Sequence, residues 1–184
     1  MFSVRCMVQK YETECFPGRL FPVKPNRRLP HSLDGGDPMK QTGYPKAIAR
    51  IHGGREYPML RGTVTFHQRH DGVLIEAAVS GLPRTETGFF AFHIHEGGNC
   101  AGDGFPNTGG HFNPGRTGHP NHAGDLPPLL GDYGKAYLKV LTGRFRVEEV
   151  IGKTVIVHGG PDDFHTQPSG NAGRKIACGV IRRA

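Results

Sequence analysis

Five of the eleven histidines lie in one stretch of the chain, between Phe92 and Asp125. The first two, His93 and His95, alternate with apolar residues in Phe-His-Ile-His. Residues i and i+2 of a β-strand project from the same face, so this pair could chelate one metal ion from a rigid backbone. Taken alone the pair is a weak signal, because a chain this rich in histidine is expected to contain roughly one such pair or fewer by chance. Two polar residues on a solvated strand face are the alternative.

A second group of possible ligands follows in a loop rich in Pro and Gly. His119, His122 and Asp125 come at steps of three residues. Two imidazoles and a carboxylate that close together suit a tetrahedral Zn²⁺ lacking one ligand, whereas a set made only of imidazoles suits copper. His111 lies between the two groups, in Gly-Gly-His-Phe-Asn-Pro, which is too rich in Gly and Pro to continue a strand. It could serve either group, and it would be an imidazolate bridge if both ring nitrogens bound metal.

A fourth candidate for the imidazole set is His158, at the end of the apolar run Val-Ile-Val. A lone histidine in this position is more often an ordinary surface residue. Here, however, the copper set needs one more donor, and His158 is the best placed to supply it.

Short strands are the elements that would position these residues. Hydrophobic residues make up 36% of the chain, with 28 Gly, 15 Pro and no Trp, which is typical of many turns and short strands rather than a helical bundle. Apolar or alternating runs bounded by turn residues predict strands at 47–51, 62–68, 73–79, 88–95, 135–141, 154–158 and 176–181, with 144–150 as a further strand or a turn. Seven or eight such strands predict an all-β sandwich or barrel.

Residues 1–43 differ from the rest of the chain. They contain five prolines and scattered Arg and Lys without apolar periodicity, which predicts a disordered or loosely attached extension before a domain at 44–184. Cys6 and Cys15 have no neighbouring histidine and are interpreted as free thiols. No apolar run is typical of a secretory signal or approaches the roughly 20 residues of a membrane span.

Five motifs of the region after residue 43, taken together and in order, resemble the copper/zinc superoxide dismutase family. They are F-H-I-H-E, G-G-H-F-N-P, H-A-G-D-L, V-H-G-G-P-D-D and G-N-A-G-R-K-I-A-C-G-V-I. Their order and approximate spacing match from about Tyr44 to the C-terminus. The resemblance implies an eight-stranded Greek-key β-barrel, related to the immunoglobulin-like sandwich, with long metal-binding and channel loops.

The resemblance also implies a role for each candidate residue. The implied copper ligands are His93, His95, His111 and His158, and the implied zinc ligands are His111, His119, His122 and Asp125. Asp162 matches the carboxylate that hydrogen-bonds one ligand of each metal. Cys100 and Cys178 match a disulfide within the chain, for which two buried free thiols are the alternative.

The implied activity is the dismutation of superoxide into O₂ and hydrogen peroxide, with one copper and one zinc per chain. Copper would alternate between Cu(II) and Cu(I), and His111 would supply a proton. Lys175 occupies the position where the family usually has Arg, three residues before the second disulfide cysteine, and Arg174 precedes it. A lysine ammonium is a flexible point charge rather than a planar fork of donors, so the exchange predicts a slower or more salt-sensitive enzyme.

Two other classes of function are the alternatives. A non-catalytic metal-binding relative, for storage or as a chaperone-like protein, should have lost a copper ligand, and none is missing. Nucleic-acid binding is suggested only by the net charge of +7, without a basic patch interleaved with aromatic residues. We therefore expect superoxide as the substrate and no nucleic-acid or membrane partner. The lack of a visible signal predicts a cytoplasmic location, whereas the paired cysteines favour oxidising surroundings; a homodimer is a further expectation, which no feature of the strands derives. The remaining histidines of note are expected at the surface: His31, His52, His67 and His70.

Overall fold

The computed structural model describes residues 45–184. The predictions for residues 1–43, including the two cysteines there, lie outside the described residues. The described part contains eight strands: β1 Ala47–Gly53, β2 Arg61–Gln68, β3 Val73–Ser80, β4 Phe89–His95, β5 Asp125–Leu130, β6 Lys135–Thr142, β7 Thr154–His158 and β8 Lys175–Arg183. The only helical segments of this part are a 3₁₀ turn at Pro106–Thr108 and a single turn, α1, at Val147–Val150.

All eight strands pair in one antiparallel sheet, in the order β5-β4-β7-β8-β1-β2-β3-β6. The edge strands β5 and β6 approach each other with Cα atoms within 8 Å, so the sheet nearly closes into a barrel. The chain crosses between non-neighbouring strands after β3, β5 and β6, which is the connectivity of a Greek key. The predicted all-β Greek-key barrel is confirmed.

Strand β4 shows how the core positions the candidate ligands. Phe92 and Ile94 face the core of the barrel, where they are fully buried with the inward-facing residues of the other strands. His93 and His95 point to the opposite face, because side chains alternate along a strand, and they are buried there as well. Burial of each large apolar side chain contributes about 1.5–3 kcal/mol, so the strand that carries the two histidines is firmly anchored.

Three local features differ from the sequence-based expectations. Strand β5 lies in a stretch interpreted as loop because its sequence, Asp-Leu-Pro-Pro-Leu-Leu, contains two prolines. It is an edge strand, where a residue without an N–H donor is tolerated. Segment 144–150 ends in the short helix α1. The surface prediction for His67 is wrong: its side chain is buried, as is that of the preceding Phe66, so β2 is covered on both faces at this point.

None of the helices found between residues 45 and 184 is both long and apolar enough to cross a membrane.

Candidate metal centre

The first group of ligand atoms is formed mainly on two paired strands. His93 and His95 lie on β4, and His158 ends β7, which pairs with β4 in antiparallel register. His111 reaches the group through an isolated β-bridge with His95. One ring nitrogen from each of the four residues lies within 4.8 Å of the other three, and all four residues are buried. The structure therefore brings together the four residues of the predicted copper set.

Hydrogen bonds orient the rings of this group. His95 Nδ1 donates to the Gly109 carbonyl at 2.9 Å, and His158 Nδ1 donates to the Gly173 carbonyl at 3.1 Å. This leaves the Nε2 atoms of His95 and His158 facing each other at 3.3 Å. The buried His93 Nδ1 and His111 Nε2 have no hydrogen-bond partner among the described residues. Converging imidazole nitrogens without partners fit a bound copper ion, for which imidazole is a suitable ligand.

The second group lies on the segment that leads into β5. Asp125 Oδ1 is 2.7 Å from His111 Nδ1, and Asp125 Oδ2 lies 3.1 Å from His119 Nδ1 and 3.2 Å from His122 Nδ1. One ligand atom from each of these four buried residues lies within 4.8 Å of the others. Three imidazole nitrogens and one carboxylate oxygen form a donor set that fits tetrahedral Zn²⁺.

His111 belongs to both groups. Its Nδ1 faces Asp125 Oδ1, whereas its Nε2 is buried and has no hydrogen-bond partner among the described residues. Its ring centroid is 4.1 Å from that of His93 and 5.4 Å from that of His122. One ring thus belongs to both groups and keeps one nitrogen without a protein partner, which fits the imidazolate bridge predicted from the sequence.

Asp162 joins the two groups from outside. Its Oδ2 accepts a hydrogen bond from His93 Nε2 at 2.8 Å, and its Oδ1 accepts one from His119 Nε2 at 2.8 Å. Burial raises the pKa of Asp162, but the hydrogen bonds from His93, the Phe164 N–H and His119 outweigh it and hold that pKa well below its ordinary value. The group is therefore a carboxylate that fixes one ring of each set, as outer partners of metal ligands do.

Gly170 makes room for this carboxylate. Its φ is +67°, and a Cβ at this position would overlap Asp162 Oδ1 and lie 2.6 Å from His119 Nε2. Both the backbone conformation and the available space therefore require glycine.

Burial favours the neutral form of three rings of the imidazole group. It lowers the pKa of His95 to about 2 and that of His158 to about 3, and it also lowers the pKa of His93. A histidine binds metal through an unprotonated nitrogen, so these three rings are ready to act as ligands at neutral pH without releasing a proton first.

The two adjacent cations, Arg174 and Lys175, point to different partners. Lys175 Nζ donates to Thr108 Oγ1 at 2.7 Å and to the Gly109 carbonyl at 3.2 Å, so it shares an acceptor with His95. Partial burial lowers the pKa of Lys175. Arg174 forms an ion pair with Glu56 at 2.7 Å and donates to the Tyr57 hydroxyl. The sequence carries no signal for these partners, because they come from distant loops.

Cys100 and Cys178 form a disulfide with an S–S distance of 2.02 Å. The bridge links the loop after β4 to strand β8 and packs beside Phe105 and Ile156. The predicted disulfide is confirmed, and the alternative of two free thiols is wrong.

Comparison with known proteins identifies the relatives of this chain. A family model described as copper/zinc superoxide dismutase matches residues 60–181. Cu-Zn superoxide dismutase 1 of Aquifex aeolicus is 38% identical over 136 residues, covering 66% of this chain and 79% of the relative. The Cu-Zn superoxide dismutase of Deinococcus radiodurans is 34% identical over 142 residues, covering 66% and 76%. That of Legionella pneumophila is 34% identical over 133 residues, covering 68% and 80%.

Proposed function

The chain belongs to the copper/zinc superoxide dismutase family, and we propose that the two ligand groups are the sites with which it converts superoxide into O₂ and hydrogen peroxide. The observation that carries this proposal is the pair of buried four-residue groups that share His111. The cofactors of the family are copper and zinc. In this assignment copper is held by His93, His95, His111 and His158, and zinc by His111, His119, His122 and Asp125.

The role of each metal follows from its chemistry. Copper supplies the one-electron exchange with superoxide by alternating between Cu(II) and Cu(I), whereas zinc has no redox role. What remains for the protein is to orient the ligands, to attract the anion and to supply a proton. Asp162 contributes to the first task by fixing one ring on each side.

We assign the proton to His111 Nε2. The other nitrogen of this ring, Nδ1, is held 2.7 Å from Asp125 Oδ1. Nε2 is buried in the imidazole group and has no hydrogen-bond partner among the described residues. When it is not bound to copper, this nitrogen would hold a proton within reach of a substrate at the copper side and transfer it to reduced superoxide. The second proton of hydrogen peroxide would come from water.

We assign the docking of the superoxide anion to Lys175. Its Nζ is fixed by Thr108 and Gly109, and the same Gly109 carbonyl orients His95. A fixed cation beside the copper set raises the local concentration of an anionic substrate. Arg174, the cation that precedes it, contributes less to docking in this proposal, because its charge is paired with Glu56.

Several finer assignments stay predictions. We propose that residues 44–184 are the catalytic domain. The homodimer, the cytoplasmic location, and the expectation of no nucleic-acid or membrane partner are likewise predictions.

A non-catalytic storage or chaperone-like relative is not favoured, because the copper set is complete and the relatives compared above are named superoxide dismutases. The test is to load the protein with copper and zinc and to measure metal content and superoxide consumption. We expect about one ion of each metal per chain, loss of copper and activity in His158→Ala, and no change in His70→Ala, whose ring is exposed. Binding of zinc alone, or of both metals without turnover, would contradict the proposal.

A further inference from the structure

We infer that Arg144 and Gln167 are positioning residues of the zinc site, although neither side chain reaches the metal position. The inference rests on the proposed zinc set. It concerns how the segment from His119 to Asp125 keeps its shape, since this segment supplies three of the four ligands.

The backbone of this segment has few hydrogen bonds of its own. No strand ladder holds it before β5 begins at Asp125. Its turns are closed by two bonds, from Asn121 N to the Gly118 carbonyl at 2.9 Å and from Asp125 N to the His122 carbonyl at 3.2 Å. Near its end, Gly124 is also tied to the barrel by backbone bonds, from Ile94 N to the Gly124 carbonyl at 2.9 Å and from Gly124 N to the Phe112 carbonyl at 2.8 Å. Backbone groups that are not paired in a ladder need other partners, which here come from side chains elsewhere in the barrel.

Arg144 supplies one such partner from the connection between β6 and α1. Its Nη1 donates to the carbonyls of Pro120 at 3.2 Å, His122 at 3.2 Å and Asp125 at 3.1 Å. These three acceptors span the segment from just after the first zinc ligand to the last. The two N–H hydrogens of this nitrogen are shared among the three carbonyls, so one guanidinium group fixes the curvature of the chain around the predicted ion.

Gln167 holds the other end of the segment from the loop between β7 and β8. Its Oε1 accepts from His119 N at 2.9 Å, and its Nε2 donates to the His119 carbonyl at 2.7 Å. Since Asp162 also binds the His119 ring at Nε2, this ligand is held at its backbone and at its ring, which directs Nδ1 towards Asp125.

Arg144 and Gln167 thus order the zinc ligands before the ion arrives. After loss of either side chain, part of the segment is ordered only when zinc binds, so the binding free energy must cover that ordering. Outer partners of metal ligands typically change metal affinity by roughly 10–100-fold. We expect each substitution to weaken zinc binding by about 10-fold and to leave copper binding nearly unchanged, because neither residue contacts a copper ligand other than through this segment.

The experiment uses the metal-free full-length protein and compares Arg144→Met and Gln167→Met with the wild type. Zinc and copper affinities are measured separately by competition with a chromophoric chelator. The absorption of Co²⁺ bound in place of zinc reports ligand geometry without any assay of activity. Arg84→Met, an exposed arginine in the β3–β4 loop, is the matched control, and Arg144→Lys should restore part of the affinity because an ammonium can reach some of the carbonyls.

The expected result is a selective loss of zinc affinity in both methionine variants, with an altered Co²⁺ spectrum. Zinc binding as tight as in the wild type overturns the inference and leaves the proposed function intact. An equal loss of zinc and copper affinity also overturns it, because that indicates general destabilisation. If the wild type itself binds no zinc, the proposed zinc set is wrong and the inference fails with it. If Arg144→Met does not fold, the zinc and copper affinities of Gln167→Met decide whether the inference holds.

Discussion

The copper and zinc groups differ in what holds their ligands. Three of the four residues assigned to copper lie on β4 and β7, which are joined by the sheet. Three of the four assigned to zinc lie between His119 and Asp125. Asp125 begins β5, whereas His119 and His122 lie before it, where side chains from distant loops hold the chain. The geometry of the first group is thus a property of the whole barrel. That of the second depends on single contacts, so single substitutions should affect it more strongly.

The largest expected effect comes from Asp162→Asn. An asparagine can accept a hydrogen bond through its oxygen, but it cannot accept from both His93 and His119. We expect zinc affinity to fall by roughly 100-fold and copper affinity by about 10-fold or less, because His93 remains anchored in a strand and His119 does not. The measurement is chelator competition for each metal, with Asp71→Asn in the β2–β3 hairpin as the control. Equal losses of affinity for the two metals would contradict the claim that loop ligands depend more on single contacts than strand ligands do.

Acid should destabilise the metal-free protein through the strand-borne histidines. Burial lowers the pKa of His95 to about 2 and that of His158 to about 3, from an ordinary value of 6.5. As the pH falls, these two rings therefore become protonated at a higher pH in the unfolded chain than in the folded protein. This part of the stability is fully present above pH 6.5 and is lost below it, by up to about 1.4 kcal/mol per pH unit for each ring.

The test for this second prediction is urea unfolding of the metal-free protein between pH 7 and pH 4. His95→Gln should show a smaller dependence on pH than the wild type, whereas His70→Gln, with its exposed ring, should not. A free energy of unfolding that stays constant over this range would disprove the role given to the buried rings.

The smallest expected effect concerns Lys175, which binds the same Gly109 carbonyl that orients His95 on the strand side. Partial burial lowers its pKa from 10.5, so its charge should be lost at a lower pH than that of an exposed lysine. We expect kcat/KM for superoxide to fall on the alkaline side in the wild type and to fall less in Lys175→Arg, since arginine stays protonated. Near neutral pH the two should agree within about 3-fold. Lys139→Arg, on β6, is the control, and identical alkaline profiles for wild type and Lys175→Arg would rule out Lys175 as the docking cation.

The sequence predicted most of the barrel, because alternation and turn residues are local signals. It missed β5, since two prolines mask a strand whose edge position becomes visible only in the assembled sheet. The ligand residues were found by motif order, and resemblance to the family gave their roles. The opposite directions of Arg174 and Lys175, and the contacts of Arg144 and Gln167, could not be predicted, because they depend on which distant backbone groups lie nearby.

Gly170 carries a consequence for how mutations in this gene should be interpreted. Any other residue at this position would press on Asp162 and His119 together, although every residue assigned to either metal would remain in the sequence. Such a variant would keep all the assigned ligand residues, but its zinc ligand His119 would be displaced. The presence of all the ligand histidines in a sequence therefore does not show that the enzyme is active. Variants at this glycine should be assayed for activity in the same way as variants of the ligands.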